Sequence, residues 1–176
     1  GDGNAIIRYP DLPYKQSLES WMRQNLHTAI IPVANGMSAA QFLEKFQQMG
    51  GIVEAFVEGE NKCSPSVQCR INPMGAVDVI STHDQQLTGE FAQVFAGAHF
   101  PANAEYRNEI ARLGMQVALE LRDRGVTGRF SIDFVSVKEE TNWKHYAIEI
   151  NLRKGGTTHP FLMMQFLTNG NYNAVT

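Results

Sequence analysis

Apolar and polar positions alternate along this chain in patterns that predict four helices. The clearest pattern covers residues 105–124, where every third or fourth position is apolar and Gly125 ends the run. Shorter patterns predict helices at 18–25, 38–48 and 159–167, and Ser38 is a suitable N-cap for the second of them.

Period-two alternation predicts strands in the segments between these helices. The predicted strands are residues 4–9, 52–58, 66–72, 76–82, 91–100, 128–137 and 145–152. A Pro-Met-Gly turn separates the strands at 66–72 and 76–82, which predicts a hairpin. Strands and helices mix without regular βαβ alternation, so we expect an α+β fold with a mostly antiparallel sheet and helices packed on one side. The predicted organisation is two parts, 1–58 and 59–176.

The composition of the chain excludes some classes of protein and some kinds of partner. The formal net charge is -3 and 43% of residues are hydrophobic, which excludes a disordered chain and argues against nucleic acid as a partner. The two cysteines, Cys63 and Cys69, are expected to be free thiols, as in a cytoplasmic protein. No apolar run is long enough for a membrane span, so no membrane partner is expected. Because the chain begins in a loop-like GDGNAII and ends at NGNYNAVT, we expect a fragment of a longer protein.

The strand pair FSIDFVSV and HYAIEINL places oxygen ligands together. If the two strands form a hairpin, alternation puts Asp133 beside Glu149 and Asn151 on one open face, while Ile148 and Ile150 face the core. Two close carboxylates repel unless a cation lies between them, and Mg²⁺ prefers such hard oxygen ligands. The alternative, which the pattern alone leaves open, is a solvated sheet face that carries acidic residues.

The sequence that follows, NLRKGGTTHPF, favours a site over a solvated face. Arg153 and Lys154 could hold phosphate oxygens next to a metal. A Gly-Gly pair lets backbone approach a ligand closely, and a threonine can cap a helix whose N-terminal amides favour an anion. The residues concerned are Gly155, Gly156, Thr157 and Thr158.

Several of these strings resemble the ATP-grasp superfamily. IEINLRKGGTTHPF with the upstream Asp133 resembles its magnesium-binding end, GGIVEAFVEG its adenine-binding hinge strand, and GDGNAII its glycine-rich phosphate loop. SPSVQ, STHDQ, GRF-x-x-DF and LRKGGTTHPF look most like ATP-grasp peptide ligases of the pheganomycin-synthetase type. The resemblance implies a fold of two α+β lobes that grip ATP, of which this chain would hold the metal-binding lobe and part of the small lid.

The resemblance also implies roles for single residues. Asp133, Glu149 and Asn151 would hold Mg²⁺, and Arg153 would be the catalytic residue that steadies the transferred phosphoryl group. The nucleotide would be bound by Gly3, Asn4, Glu54, Ala55, Val57, Glu60 and Arg70, and the other substrate by Gly155, Gly156, Thr157 and Thr158. The family's phosphate-binding lysine would lie upstream of Gly1, and Lys15 is a weak substitute, so the fragment alone is expected to be inactive.

The implied activity is an ATP-dependent carboxylate–amine ligase that forms a peptide bond through an acyl phosphate. ATP, Mg²⁺, an amino-acid or peptide substrate and the upstream remainder of the same polypeptide would be its partners. Two alternatives stay open: a non-catalytic nucleotide-binding module of a larger protein, and a carboxylase-like or kinase-like activity that uses the same metal site.

The sequence also leaves two roles open for two arginines outside these motifs, and it predicts single roles for a histidine and two methionines. Arg70 and Arg129 could each face a phosphate or a substrate carboxylate, or simply be exposed on a strand. His83 is expected to cap a turn, and Met163 and Met164 are expected to be core residues of the last helix.

Overall fold

The computed structural model describes residues 3–11, 17–89 and 92–174. The chain forms two compact units: Gly1–Ala55 with Thr88–Val94, and Phe56–Leu87 with Phe95–Thr176. The first two residues of GDGNAII, Lys15 and Phe91 lie outside the described residues, so the predictions that fall on them stay predictions. No helix within the described ranges is long and apolar enough to cross a membrane.

The first unit contains two short strands and two helices. Strands β1 (Ala5–Ile7) and β2 (Ile30–Pro32) pair antiparallel, and helices α1 (Leu18–Ala29) and α2 (Ala39–Met49) complete the unit. Helix α2 begins as predicted at Ser38, which forms a capping box with Gln41 and so satisfies backbone donors of the first turn. It ends at Gly50, whose φ of 72° suits a glycine.

The second unit is built on an antiparallel sheet. Its strands are β3 (Lys62–Cys63), β4 (Pro65–Ile71), β5 (Val77–Thr88), β6 (Val94–His99), β7 (Gly128–Glu139) and β8 (Asn142–Asn151), and its helices are α3 (Arg107–Asp123) and α4 (Thr158–Thr168). The first residue of β6 and the last of β5 fall within the bounds of the first unit. Both hairpins that the sequence predicts, β4–β5 and β7–β8, are present.

Strand β7 lies inside the sheet and carries Asp133 of the candidate site. It pairs with β8 on one edge and with β3 and β4 on the other, and both of these short strands keep the same register against it. Strands β3 and β4 are therefore two halves of one interrupted strand. Strand β5 follows β4, and β6 follows β5 at the far edge.

The apolar face of this sheet packs against α3. Val67 of β4 and Ile132 and Phe134 of β7 are almost fully buried, as is Ile110 of the helix. A Cβ added at Gly114 of α3 would lie 2.7 Å from Val67 Cγ1, so glycine is what allows the helix to approach this closely. The opposite face of the sheet is polar, and it is the face on which the predicted ligands lie.

Four sequence predictions are wrong in detail. Residues 52–58 form no strand: Ile52 and Val53 are 76% and 79% exposed. Ile148 and Ile150 do not reach the core, since β8 is an edge strand and leaves them 42% and 46% exposed.

The other two corrections concern a methionine and a histidine. Met163 is 59% exposed on α4, so it is no core residue, although Met164 is half-buried. His83 caps no turn: it is a buried residue of β5, 3% exposed, between the rings of Phe100 and Phe161. Sequence patterning missed its position because β5 runs six residues beyond the predicted end at residue 82.

Candidate functional site

Asp133 and Glu149 are register partners in the β7–β8 hairpin. On the other side of β7, Asp133 pairs with Ser66 of β4, and Ser66 pairs in turn with His83 of β5. Residues directly opposite each other in an antiparallel sheet project from the same face. One row across four strands of the polar face therefore carries a histidine, a hydroxyl and two carboxylates.

Neighbouring side chains hold the Asp133 carboxylate in place. Ser66 donates from Oγ to Asp133 Oδ1 at 2.7 Å, and Asn151 donates from Nδ2 to Asp133 Oδ2 at 3.2 Å. Burial raises the pKa of Asp133 and Glu149 raises it further, whereas the Ser66 hydrogen bond, Gln85 and the Arg153 charge lower it. The net shift is upward, so a nearby cation would relieve the cost of keeping this carboxylate ionised.

The chemistry of this donor set suits a hard cation. Asp133, Glu149 and Asn151 supply two carboxylates and one amide, and Glu149 is exposed. Among the described residues there is no group of three or more His, Cys, Asp or Glu side chains that could hold a metal ion. A metal here would therefore take only two carboxylates from these strands, and its other positions would go to Asn151, phosphate and water.

The second row of the polar face anchors the Gly-Gly-Thr-Thr segment. Gln68 of β4 lies opposite Ser131 of β7, which lies opposite Asn151 of β8. The Gln68 side chain is 3% exposed; its Nε2 donates to Thr157 Oγ1, and its Oε1 accepts from Thr158 Oγ1 at 3.1 Å. Thr158 Oγ1 in turn accepts from the Gly155 amide at 3.1 Å. One buried glutamine thus holds the start of α4 against the sheet.

The capping hydrogen bond that a threonine could make is not formed by Thr157, whereas the predicted substrate-binding roles of Thr157 and Thr158 stay predictions. Thr157 is the N-cap residue of α4, but its side chain makes no capping hydrogen bond. A Cβ at Gly156 would come within 2.7 Å of the Phe95 ring, so the second glycine permits a close approach of side chain to backbone. The turn is therefore fixed from the sheet side.

Arg153 and Lys154 are exposed immediately after β8. The Arg153 guanidinium is close enough to Asp133 to lower the pKa of that carboxyl, and its Nη1 donates to the Lys154 carbonyl at 3.4 Å. An exposed cation thus lies near the carboxylate row, and the catalytic role of Arg153 stays a prediction.

Four of the residues predicted to bind the nucleotide lie in an irregular segment, not on a helix or strand. Glu54 and Ala55 belong to the first unit and are exposed, whereas Val57 and Glu60 belong to the second and lie in an irregular segment. The Val57 carbonyl accepts a hydrogen bond from Lys62 Nζ at 3.1 Å. Their roles stay predictions.

Two more predicted residues lie at the start of the first unit. Gly3 is exposed, and Asn4 donates from Nδ2 to Gln93 Oε1 at 3.0 Å. The Asn4 carbonyl accepts from the Val33 amide at 2.9 Å, so this segment is tied to β2. Arg70, the last predicted residue, lies on β4 opposite Arg129.

Sequence reasoning missed three side chains of the site: Ser66, Gln68 and Gln85. All three occupy polar positions on strands, which is a weak signal because most such positions face solvent. The available signal was their spacing: Ser66 and Gln68 are two apart in SPSVQ, and so share a face.

Comparison with known proteins shows which family and which relatives this chain resembles. The profile of a family described as "IQCH-like, ATP-grasp" matches residues 13–175. The L-propargylglycine–L-glutamate ligase of Streptantibioticus cattleyicolor is 37% identical over 123 residues, which cover 70% of this chain and 24% of that protein. The IQ motif-containing protein H of Danio rerio is 26% identical over 139 residues, 78% of this chain and 13% of that protein. The chain thus spans a quarter or less of these relatives.

Solved structures give the same picture of the backbone. A biotin carboxylase–β-γ-ATP complex from Campylobacter jejuni superposes with a TM-score of 0.55 at 16% identity, over 74% of this chain and 28% of that one. A pyruvate carboxylase from Rhizobium etli gives a TM-score of 0.51 at 14% identity, over 91% and 15%. At these identities the likeness shows a shared fold and nothing beyond it.

Proposed function

The chain belongs to the IQCH-like ATP-grasp family, and from that premise we propose that it carries the Mg²⁺- and phosphate-binding part of an ATP-dependent carboxylate–amine ligase. The reaction proposed is phosphoryl transfer from ATP to a carboxylate, then attack of an amine on the acyl phosphate, which forms a peptide bond. The ligase from Streptantibioticus cattleyicolor, whose name describes the joining of two amino acids, supports amino acids or short peptides as substrates.

One observation carries the proposal: Asp133 and Glu149 are paired across two strands on a polar face, with Asn151 bonded to Asp133. Two carboxylates that are register partners on paired strands favour cation binding, and the strands fix their positions in advance. A magnesium ion bound there would neutralise the phosphates and draw electron density from the transferred phosphoryl group. Asp133 and Glu149 would hold it as ionised ligands, and Asn151 would orient Asp133 and add its carbonyl oxygen.

Arg153 follows this ligand set on the chain and is exposed beside Asp133. In that position its guanidinium can bind equatorial phosphoryl oxygens and stabilise negative charge that grows during transfer. The Gly156 amide lies at the start of α4 and can donate to an anionic intermediate or substrate, whereas the Gly155 amide donates to Thr158 Oγ1 and would have to exchange that bond for one to the ligand. Catalysis would thus come from positioning and electrostatics, without a protein nucleophile.

The test is Mg²⁺-dependent ADP binding by this chain, measured by titration calorimetry. We expect Asp133→Asn and Glu149→Gln each to weaken it at least tenfold, because each removes one charged ligand. Asp78→Asn, an exposed carboxylate on neighbouring β5, is the matched control and should change little. Equal affinity for the wild-type chain and both ligand variants would refute the metal site.

Turnover separates a ligase from a nucleotide-binding module. In the longest natural polypeptide that contains this chain, ADP release should depend on added amino acids, and Arg153→Ala should lower kcat more than nucleotide affinity. Lys154→Ala is the control for loss of an adjacent positive charge. Nucleotide binding without any ADP release would favour the module.

A further inference from the structure

Two arginines lie side by side on the polar face of the sheet, beyond the Gln68 row. Arg70 of β4 and Arg129 of β7 are register partners, and each follows or precedes a polar-face residue by two positions, Gln68 and Ser131 respectively. Side chains two apart on a strand share a face, and no register shift interrupts the β4–β7 pairing. Arg70 and Arg129 therefore project from the same face as Asp133.

In the described part of the chain, neither arginine of this pair forms an ion pair. Arg129 Nη1 is buried and has no hydrogen-bond partner among the described residues. Asp78 of β5 is the register partner of Arg70 on its other side, yet the two form no ion pair in the part of the chain that the structure describes. Two guanidinium groups opposite each other repel, and a buried N–H without an acceptor is costly. An anion would remove both costs.

The position of the pair indicates which anion. Arg129 is four residues from Asp133 along β7, which corresponds to roughly 13 Å. The Gly-Gly-Thr-Thr turn is fixed to the row between them through Gln68 and Thr157. A phosphate bound at Asp133 therefore lies too far away to be the same anion, so the pair would hold a second negative group at the other end of a molecule that crosses the turn.

We propose that Arg70 and Arg129 form a carboxylate-binding subsite for the amino-acid or peptide substrate, a proposal that rests on the ligase function above. A carboxylate matches the planar fork of a guanidinium and can be shared by two of them. The subsite would anchor the substrate by its carboxylate while its reactive group points back towards Gly155 and the metal row. The alternative anion with the same chemistry is a free or nucleotide phosphate, which the test distinguishes.

The experiment follows the arginine Nε–H signals of the ¹⁵N-labelled chain by NMR during titration with sodium acetate at constant ionic strength. Acetamide, which has the same shape without the charge, is the matched neutral probe. We expect acetate to shift the Arg70 and Arg129 signals saturably and acetamide to leave them unchanged. Arg129→Gln and Arg70→Gln should each weaken acetate binding at least fivefold, and Asp78→Asn should tighten it because a competing charge is removed.

Two controls make the outcome decisive. Arg112→Gln changes an exposed arginine of α3 and should leave acetate binding as it is. Asp133→Asn should weaken Mg²⁺-dependent ADP binding at least tenfold but leave the acetate response unchanged, so failure of the metal site and failure of this subsite are distinguishable. The inference is overturned if acetate shifts neither arginine, if Arg112→Gln has the same effect as Arg129→Gln, or if inorganic phosphate competes for the pair at least tenfold better than acetate.

Discussion

Gln68 is the side chain whose removal tests most directly how the Gly-Gly-Thr-Thr turn is held. Gln68→Leu keeps the volume of a buried side chain and deletes both of its hydrogen bonds, to Thr157 and Thr158. Two bonds contribute about 1 kcal/mol each, and the Thr158 hydroxyl proton, left in a buried site without its acceptor, costs about 1 kcal/mol more. The leucine recovers about 1 kcal/mol through apolar burial. The free energy of unfolding of the second unit should therefore fall by about 2 kcal/mol.

The assay is urea unfolding followed by the fluorescence of Trp143, which lies in the second unit. The other tryptophan, Trp21, lies in the first unit and is replaced by phenylalanine in every variant so that one unit is observed. Gln116→Leu, an exposed glutamine of α3, is the matched control. A loss no larger than that of the control, below about 0.5 kcal/mol, would refute the role of Gln68 as the anchor.

A double-mutant cycle separates the hydrogen bond from general packing. When Thr158→Val is combined with Gln68→Leu, both partners of the Gln68–Thr158 hydrogen bond become apolar, so neither is left unpaired by the loss of the other. The double variant should lose about 1 kcal/mol less than the sum of the two single losses. Additive losses would mean that Gln68 and Thr158 act independently, contrary to the contact in the structure.

Two further predictions concern the packing of the sheet. Gly114→Ala should lower the free energy of unfolding by about 1 kcal/mol, because the clash with Val67 outweighs the gain in helix propensity. In a Val67→Ala background the same substitution should be stabilising. Urea unfolding with and without Gly114→Ala in each background measures both effects. Burial lowers the pKa of His83 from 6.5 to about 4, so the neutral form is favoured in the folded state. Above pH 6.5 the neutral His83 makes its full contribution to the free energy of unfolding. As the pH drops towards 4, the free energy of unfolding should fall by roughly 3 kcal/mol, because protonation of this histidine favours the unfolded chain. His83→Gln should remove that part of the pH dependence; an unchanged profile would contradict the assignment.

The predicted fold class is confirmed, and the physical reason is that the informative strands carry strong patterns. Alternation in FSIDFVSV fixed which side of β7 meets α3, and the structure buries Ile132 and Phe134 there, as expected. The hairpin partner followed from a short polar loop between two such strands. The roles proposed for the ligand residues are still predictions, because the geometry brings Asp133, Glu149 and Asn151 together without showing what they bind.

The segment 52–58 shows where composition misleads. Ile52, Val53 and Phe56 have the residue types of a strand, yet they are exposed and belong to no sheet in the described part of the chain. Strand propensity mainly measures how well a side chain packs on a pleated surface, so it predicts a strand only where such a surface is available. The sequence of the segment could not show whether one is.

Register shifts explain why simple alternation could predict one end of β8 but not the other. Asp133 pairs with Glu149, but the next residue of β7, Phe134, pairs with Ala147, so Ile148 is an extra residue on β8. Strict alternation would place His145 on the same face as Glu149. The bulge instead turns His145 to the apolar side, where its Nδ1 lies 2.6 Å from Ser136 Oγ.

A second register shift occurs between β4 and β5, where Gln68 pairs with Ser81 and Cys69 with Val79. Both bulges are thus next to the rows that carry the candidate ligands, and each adds a residue to the strand outside the β4–β7 pair. Bulges increase local twist and re-aim side chains, so two of them flanking β4 and β7 can curve the polar face around a bound ligand. Deleting Ile148 would restore strict alternation. The deletion would either move Glu149 away from Asp133 or turn His145 out of its buried position. In either case, the carboxylate pair and the packing of His145 could not both be kept.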